Sequence, residues 1–253
     1  MLSCVRESSS SVKGVRVISY QDQVEQAVFH EKPGRLLVAA SLYRGDLTEV
    51  PEFTYYKALE RMVSRRKLLR LSRGVYIRPE MQLGAADITN EIIRYYTEQT
   101  GKVFWGFRGG EYLLAQYGLA GTTDNKEAKV IIHTSRIAGQ KRNVQNIMLM
   151  RLPMAPSALQ IAHLEFLELL SDYENYSNRD DFAPGAFAKY LSCFAEEYDD
   201  RVMADILKQC HYPKRIIAFA DELLQSRGCR TSLAGYLAGT SRYRIPSWDA
   251  AAQ

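Results

Sequence analysis

The chain has 253 residues, 46% of them apolar and 25% charged, with a net charge of +4. That length suits one large domain or two to three small ones, and that composition is ordinary for a soluble globular protein. No window approaches the ~20 apolar residues of a membrane span, and "MLSCVRESSSSVKG" at the start lacks the apolar run of a signal peptide, so a cytoplasmic protein is expected.

The charge is unevenly spread. From Lys57 to Arg78 there are eight cations against one acid, Glu60. That is +7 in a chain whose total is +4, which leaves −3 for the rest. Residues 155–200 hold ten acids and two cations. One basic module on a neutral-to-acidic body implies an anionic partner for that module alone. The cysteines, Cys4, Cys193, Cys210 and Cys229, form no Cys-x-x-Cys pair and stand at no zinc spacing from each other or from a histidine. Free thiols in a reducing compartment are expected, with no metal.

In chain order, Ser-rich residues 1–19 read as loose. "QDQVEQAVFHE" (21–31) spaces Val24, Ala27 and Val28 as a helix, stopped by "KPG". "RLLVA" (35–39) reads as a short strand, and "ASLYR" (40–44) as a short helix ended by Gly45. "PEFTYYKALERMVSR" (51–65) is the clearest helix, with Pro51 suited to a first helical position and Glu52 to the positive dipole end. Tyr55, Leu59, Met62 and Val63 form its apolar stripe; Thr54, Tyr56, Lys57, Glu60, Arg61 and Ser64 form the opposite face. "KLLRLSRGVYIRP" (67–79) then predicts a hairpin turning at Ser72-Arg73-Gly74, with Leu69 and Leu71 alternating with Arg70, and Val75 and Ile77 with Tyr76.

Helix, strand, short helix, longer helix and hairpin, in that order, describe a winged helix-turn-helix over 20–80. In that module the longer helix enters the major groove and the hairpin lies along the phosphates. A charge run is as easily a solvated face; its coincidence with this element order favours DNA. The groove candidates are Thr54, Tyr56, Lys57 and Arg61, and the phosphate candidates are Arg65, Lys67, Arg70 and Arg73.

An α+β unit is expected over 81–155: a helix over 87–101, a strand over 102–107, a helix over 109–121, a strand over 128–135, a turn at Gly139 and a strand over 143–152. "PMAPS" (153–157) reads as a linker. Residues 156–227 read as helical, with helices over 158–172, 184–197, 199–210 and 214–226, and Gly/Ser-rich 228–253 as a loose tail. The whole is expected to be α+β in class.

Phosphate-loop, dinucleotide and nucleophile-elbow motifs are absent from the sequence, and no cofactor is expected. "RGGEY" places two glycines before a helix, a spacing more often used for a turn than for an anion. Asp124, Glu127 and Lys129 lead into a strand in a pattern that can hold Mg²⁺ and activate water, so a Mg²⁺-dependent nuclease is one alternative. A protein-interaction module using the acidic helical region is another. The abundant tyrosines at helical spacing read as packing residues.

"YYKALERMVSRRKLLRLSRGVYIRP" (55–79) resembles the helix-and-hairpin stretch of the AbiEi-type antitoxins of type IV toxin–antitoxin systems, through Leu68, Arg70, Gly74, Tyr76 and Pro79. "NEIIRYYTEQTGKVFWGFRGGEYLLAQYGLAGTTDNKEAKVIIHTSR" (90–136) is similar to the segment that follows it in that family. The resemblance covers about residues 20–155 and touches 212–224 again. The chain departs from it at Arg66, where a glycine is usual, and at Tyr117, where a leucine is. The resemblance implies a non-enzymatic antitoxin that represses its own operon by binding double-stranded DNA at inverted repeats in its promoter. It also implies a nucleotidyltransferase-like toxin as functional partner, with direct contact not required, and no membrane association.

Overall fold

The computed structural model describes residues 18–79, 83–120, 130–239 and 242–248. Helices and small sheets alternate along the chain in the α+β manner, and the chain divides between residues 81 and 82 into two units.

In the first unit Ser19 caps α1 (Tyr20–His30), its hydroxyl oxygen accepting from the Asp22 amide. Strand β1 (Leu36–Val38) leads into α2 (Ala39–Asp46), which runs through Gly45, the expected stop, by one residue. Helix α3 (Glu52–Ser64) has Pro51 one position earlier than expected, as its N-cap. Strands β2 (Leu69–Ser72) and β3 (Val75–Ile77) turn at Gly74, which adopts φ +70°. The sheet order is β1-β3-β2, antiparallel throughout.

That order overturns the expected alternation in the hairpin. β3 is the middle strand, and Tyr76 is as buried as Val75 and Ile77, so both faces of this strand are covered. On β2 the pairing passes from Arg70↔Tyr76 to Ser72↔Val75, leaving Leu71 as an extra, bulged residue. Leu71 is buried while Leu69 is 45% exposed, so the two do not share a face. The core gathers Val24, Val28, Leu37, Leu42, Tyr55, Leu59, Met62 and Leu68. Tyr55 is fully buried, and its hydroxyl donates to the Ala39 carbonyl at 2.8 Å, which removes the cost of burying it.

In the second unit α4 (Ala85–Thr97) ends before Gly101, because Gln99 and Thr100 peel off as β4 (Gln99–Thr100) to pair with β5 (Val103–Phe104) around Gly101 at φ +64°. The single strand expected over 102–107 is therefore two, β5 and β6 (Gly106–Gly109), in different sheets. Gly110, at φ +63°, caps α5 (Glu111–Gln116), shorter than expected. β7 (Val130–Thr134) follows, and the strand expected over 143–152 is a hairpin, β8 (Lys141–Val144) and β9 (Ile147–Arg151), with Gln145 in the left-handed region. The sheet order is β6-β7-β9-β8, with β7 and β9 parallel and the other pairs antiparallel.

A Cβ on Gly106 would meet the Tyr96 carbonyl of α4, and one on Gly109 the Glu168 carboxylate, so neighbouring helices cover opposite faces of β6. Glu168 belongs to α6 (Ala158–Ser171), opened by a Ser157–Gln160 capping box. Then come α7 (Tyr173–Ser177), α8 (Pro184–Glu197), α9 (Asp200–Gln209) and α10 (Lys214–Ser226). One core joins Phe107, Leu113 and Leu119 to Leu167, Phe187, Met203, Phe219 and Leu224, so no core boundary falls at 155/156.

The segment read as a linker, and described parts of the one read as a loose tail, are tied down. In "PMAPS" the Pro156 carbonyl accepts from the Phe104 amide, and Met154 is buried. Beyond α10, Leu233 is buried in a 3-10 turn (Leu233–Tyr236), and Trp248 donates to Glu222 at 3.1 Å. Composition cannot reveal either, because a few apolar anchors outweigh the glycines and serines between them.

Candidate nucleic-acid interface

Helix α3 buries Tyr55, Ala58, Leu59 and Met62, which aims Phe53, Lys57, Glu60 and Ser64 at solvent one to three turns apart. Lys57 and Arg61 are exposed as expected. Arg61 also donates to the Gln21 side chain of α1 at 3.3 Å. Thr54 is half-buried at the flank of the helix. Tyr56 is half-buried like Thr54, with its ring packed against the core 5.1 Å from that of Tyr55.

The residue missed by sequence reasoning is Phe53, 71% exposed in the first turn of α3, opposite the buried face. The Lys57 ammonium lies 4.5 Å from its ring centroid. The signal was present: Phe53 stands four residues before Lys57 and out of phase with Tyr55 and Leu59.

The turn from α3 into the hairpin is held by the backbone. The Arg66 amide donates to the Val63 carbonyl and the Lys67 amide to the Met62 carbonyl, both at 2.9 Å, with Arg66 at φ +57°. That is a Schellman cap, whose left-handed residue is usually glycine. The chain puts an exposed arginine there and accepts a strain of ~1–2 kcal/mol.

Arg65, Arg70 and Arg73 are exposed around this turn and the hairpin. Lys67 is half-exposed and bonds Glu25 of α1 at 2.6 Å, and Arg65 lies 3.7 Å from the same carboxylate. The hydrogen bond from Lys67, followed by that from Gln21, holds the Glu25 carboxyl below the usual carboxylate range. Two of the four phosphate candidates are thus shared with an acid on another helix, which the spacing within 51–79 could not show. Arg78 ties the end of the hairpin back to α1. Its guanidinium donates to the carbonyls of Phe29 and Glu31 and stacks on the Phe29 ring at 4.8 Å.

In the second unit, Asp124, Glu127 and Lys129 lie outside the described residues. Among the described residues no group of three or more metal-ligating side chains occurs. Gly110 of "RGGEY" serves a turn, and its Cβ would press on Ile131 at 3.1 Å. His163 is a satisfied core histidine: Nδ1 donates to the Leu159 carbonyl, Nε2 accepts from the Asp199 amide, and burial holds its pKa down. Part of the acidity of 155–200 is paired within the unit, since Arg179 binds Asp181 as well as Glu111 of α5.

A cavity of about 530 Å³ lies between α5, α6 and α8, lined by Tyr117, Ala162, Lys189, Tyr190, Phe194 and Glu197 among others. Beside it the Tyr117 hydroxyl donates to Glu165, whose carboxyl is pushed up by burial.

Comparisons with known proteins add little. No family model matches the chain, and no curated protein does. Among solved structures the chain is similar to the RV2827C protein from Mycobacterium tuberculosis, at 12% identity over 83% of this chain and 77% of that one, with a TM-score of 0.41. A likeness that distant carries no argument here. Among the described residues, no helix is long and apolar enough to cross a membrane.

Proposed function

We propose that the first unit is a winged helix-turn-helix that binds double-stranded DNA, with α3 in the major groove and the β2–β3 hairpin as the wing. The carrying observation is the join between them: α3 passes through the Arg66 cap directly into the hairpin, so Lys57, Arg61, Arg65, Arg70 and Arg73 are exposed on two consecutive elements. Thr54 flanks that surface, and Lys67 joins it when a phosphate replaces Glu25. Phosphate neutralisation by such a set dominates affinity and makes it salt-dependent. The non-enzymatic reading goes with it, in the cytoplasm.

With the AbiEi-type resemblance over 20–155, the proposal extends to an antitoxin that represses its own type IV toxin–antitoxin operon. Its DNA target is then an inverted repeat in its own promoter, and its functional partner a nucleotidyltransferase-like toxin that it need not touch. The test is binding of the full chain to the duplex upstream of its gene, against a scrambled duplex of equal length, across a salt series. Preferential binding that weakens steeply with salt is expected. Equal, weak binding to both overturns the proposal.

A further inference from the structure

We infer that Phe53 reads thymine, so that the target of the proposed DNA-binding surface is a thymine-bearing site in the major groove. The inference rests on the DNA-binding reading and goes beyond it by naming what the helix recognises. At 71% Phe53 is the most exposed of the large apolar side chains among the described residues, and it stands in the first turn of α3 on the side opposite the buried face. Its neighbours on that outward stripe are Lys57 and Glu60. The Lys57 ammonium rests 4.5 Å from the ring centroid, where it covers one side of the ring and projects charge beside it.

Phosphates offer nothing to an aromatic ring. In the major groove the apolar group at a base edge is the thymine 5-methyl, which phenylalanine contacts directly. Glu60, an acid in a basic stretch, also suits a base edge better than a phosphate, because a carboxylate accepts from the cytosine amino group and is repelled by phosphate. The stripe thus carries one group suited to a methyl, one to an amino donor and one to an acceptor, while the arginines of the turn and hairpin carry the sequence-independent charge.

The experiment uses the full chain and the duplex upstream of its gene in two forms, one natural and one with deoxyuridine in place of every thymidine. The second keeps every base pair and phosphate and lacks the methyls. Wild-type protein is expected to bind the uracil duplex about fourfold more weakly for each methyl contacted, the ~0.8 kcal/mol of a buried methyl(ene) converted at 1.4 kcal/mol per decade. Phe53→Ala is expected to bind both forms equally, with the wild-type salt slope, while Phe53→Leu keeps part of the preference. Equal wild-type affinity for the two forms, or a preference that survives in Phe53→Ala, overturns the inference and leaves the DNA-binding reading standing. Failure of the wild type to prefer the natural duplex over a scrambled one removes both. A Phe53→Ala effect on self-association in place of thymine preference assigns the ring to a protein contact and overturns the inference as well.

Discussion

Glu25 in the first unit and Glu165 in the second are both glutamates on long helices, and their environments push them in opposite directions. Glu25 lies between Lys67 and Arg65 at the surface and is held below the usual carboxylate range. Glu165 is buried on α6 beneath the aromatic wall of a cavity, and burial drives its carboxyl up against the pull of the Tyr117 hydroxyl. The first unit keeps its charges outward, where a phosphate can compete for them. The second turns polar groups inward and satisfies them within the fold, as with His163. A net charge for the whole chain hides this division, which is why the local count around residues 57–78 is more informative.

The sharpest way to break the comparison is Gly106→Ala. A Cβ there would stand 2.0 Å from the His133 carbonyl oxygen and 2.8 Å from that of Tyr96, both backbone atoms that cannot swing aside. The expected cost to the second unit exceeds ~4 kcal/mol. Amide hydrogen exchange should lose protection in β6–β9 while α3 stays protected; loss in α3 too would mean that the units do not fold independently.

Next in size is the double variant Arg70→Ala with Arg73→Ala. It should weaken binding to every duplex alike and lower the salt slope by about 2, near 0.9 for each phosphate contact. Unchanged affinity and slope would take the hairpin out of the interface.

Arg66→Gly separates stability from binding at one residue. Releasing the left-handed strain should stabilise the first unit by ~1 kcal/mol, while a lost cation lowers the salt slope by about 1 or less. A thermal melt and a salt titration on one preparation read both; a destabilised variant would sink the account of the cap.

The smallest effects concern the two glutamates. The Glu25 pKa is lowered in the fold, so its contribution is present above the unfolded carboxylate range and is lost as pH falls through the depressed value. At a half-exposed pair this amounts to ~0.2–1 kcal/mol, and Glu25→Gln should flatten the acid limb of first-unit stability. The Glu165 pKa is raised, so its contribution is full below the unfolded value and is lost as pH rises through the folded one. Glu165→Gln should therefore make the second unit more stable than wild type at pH 7. Wild-type-minus-variant stability differences that change in opposite directions with pH are the expected result; parallel differences would erase the contrast.

The sequence by itself determined the helices whose period and punctuation agree. α3 and α6 to α10, except the five-residue α7, fall within a residue or so of their expected limits, because caps and apolar stripes are local. It also located the basic stretch and the hairpin within it, since Gly74 and the flanking apolar residues mark the turn. Tertiary structure decided the rest. Tyr76 is buried because its side chain packs into the core of the first unit, a tertiary contact that alternation within one strand cannot carry. Residues 143–152 became two strands because Gln145 adopts a conformation its residue type does not advertise. Glu25 reaches Lys67 across 42 positions, a pairing that no spacing within either segment shows. Which charges remain exposed for a partner depends on such distant contacts, and a sequence read one segment at a time does not contain them.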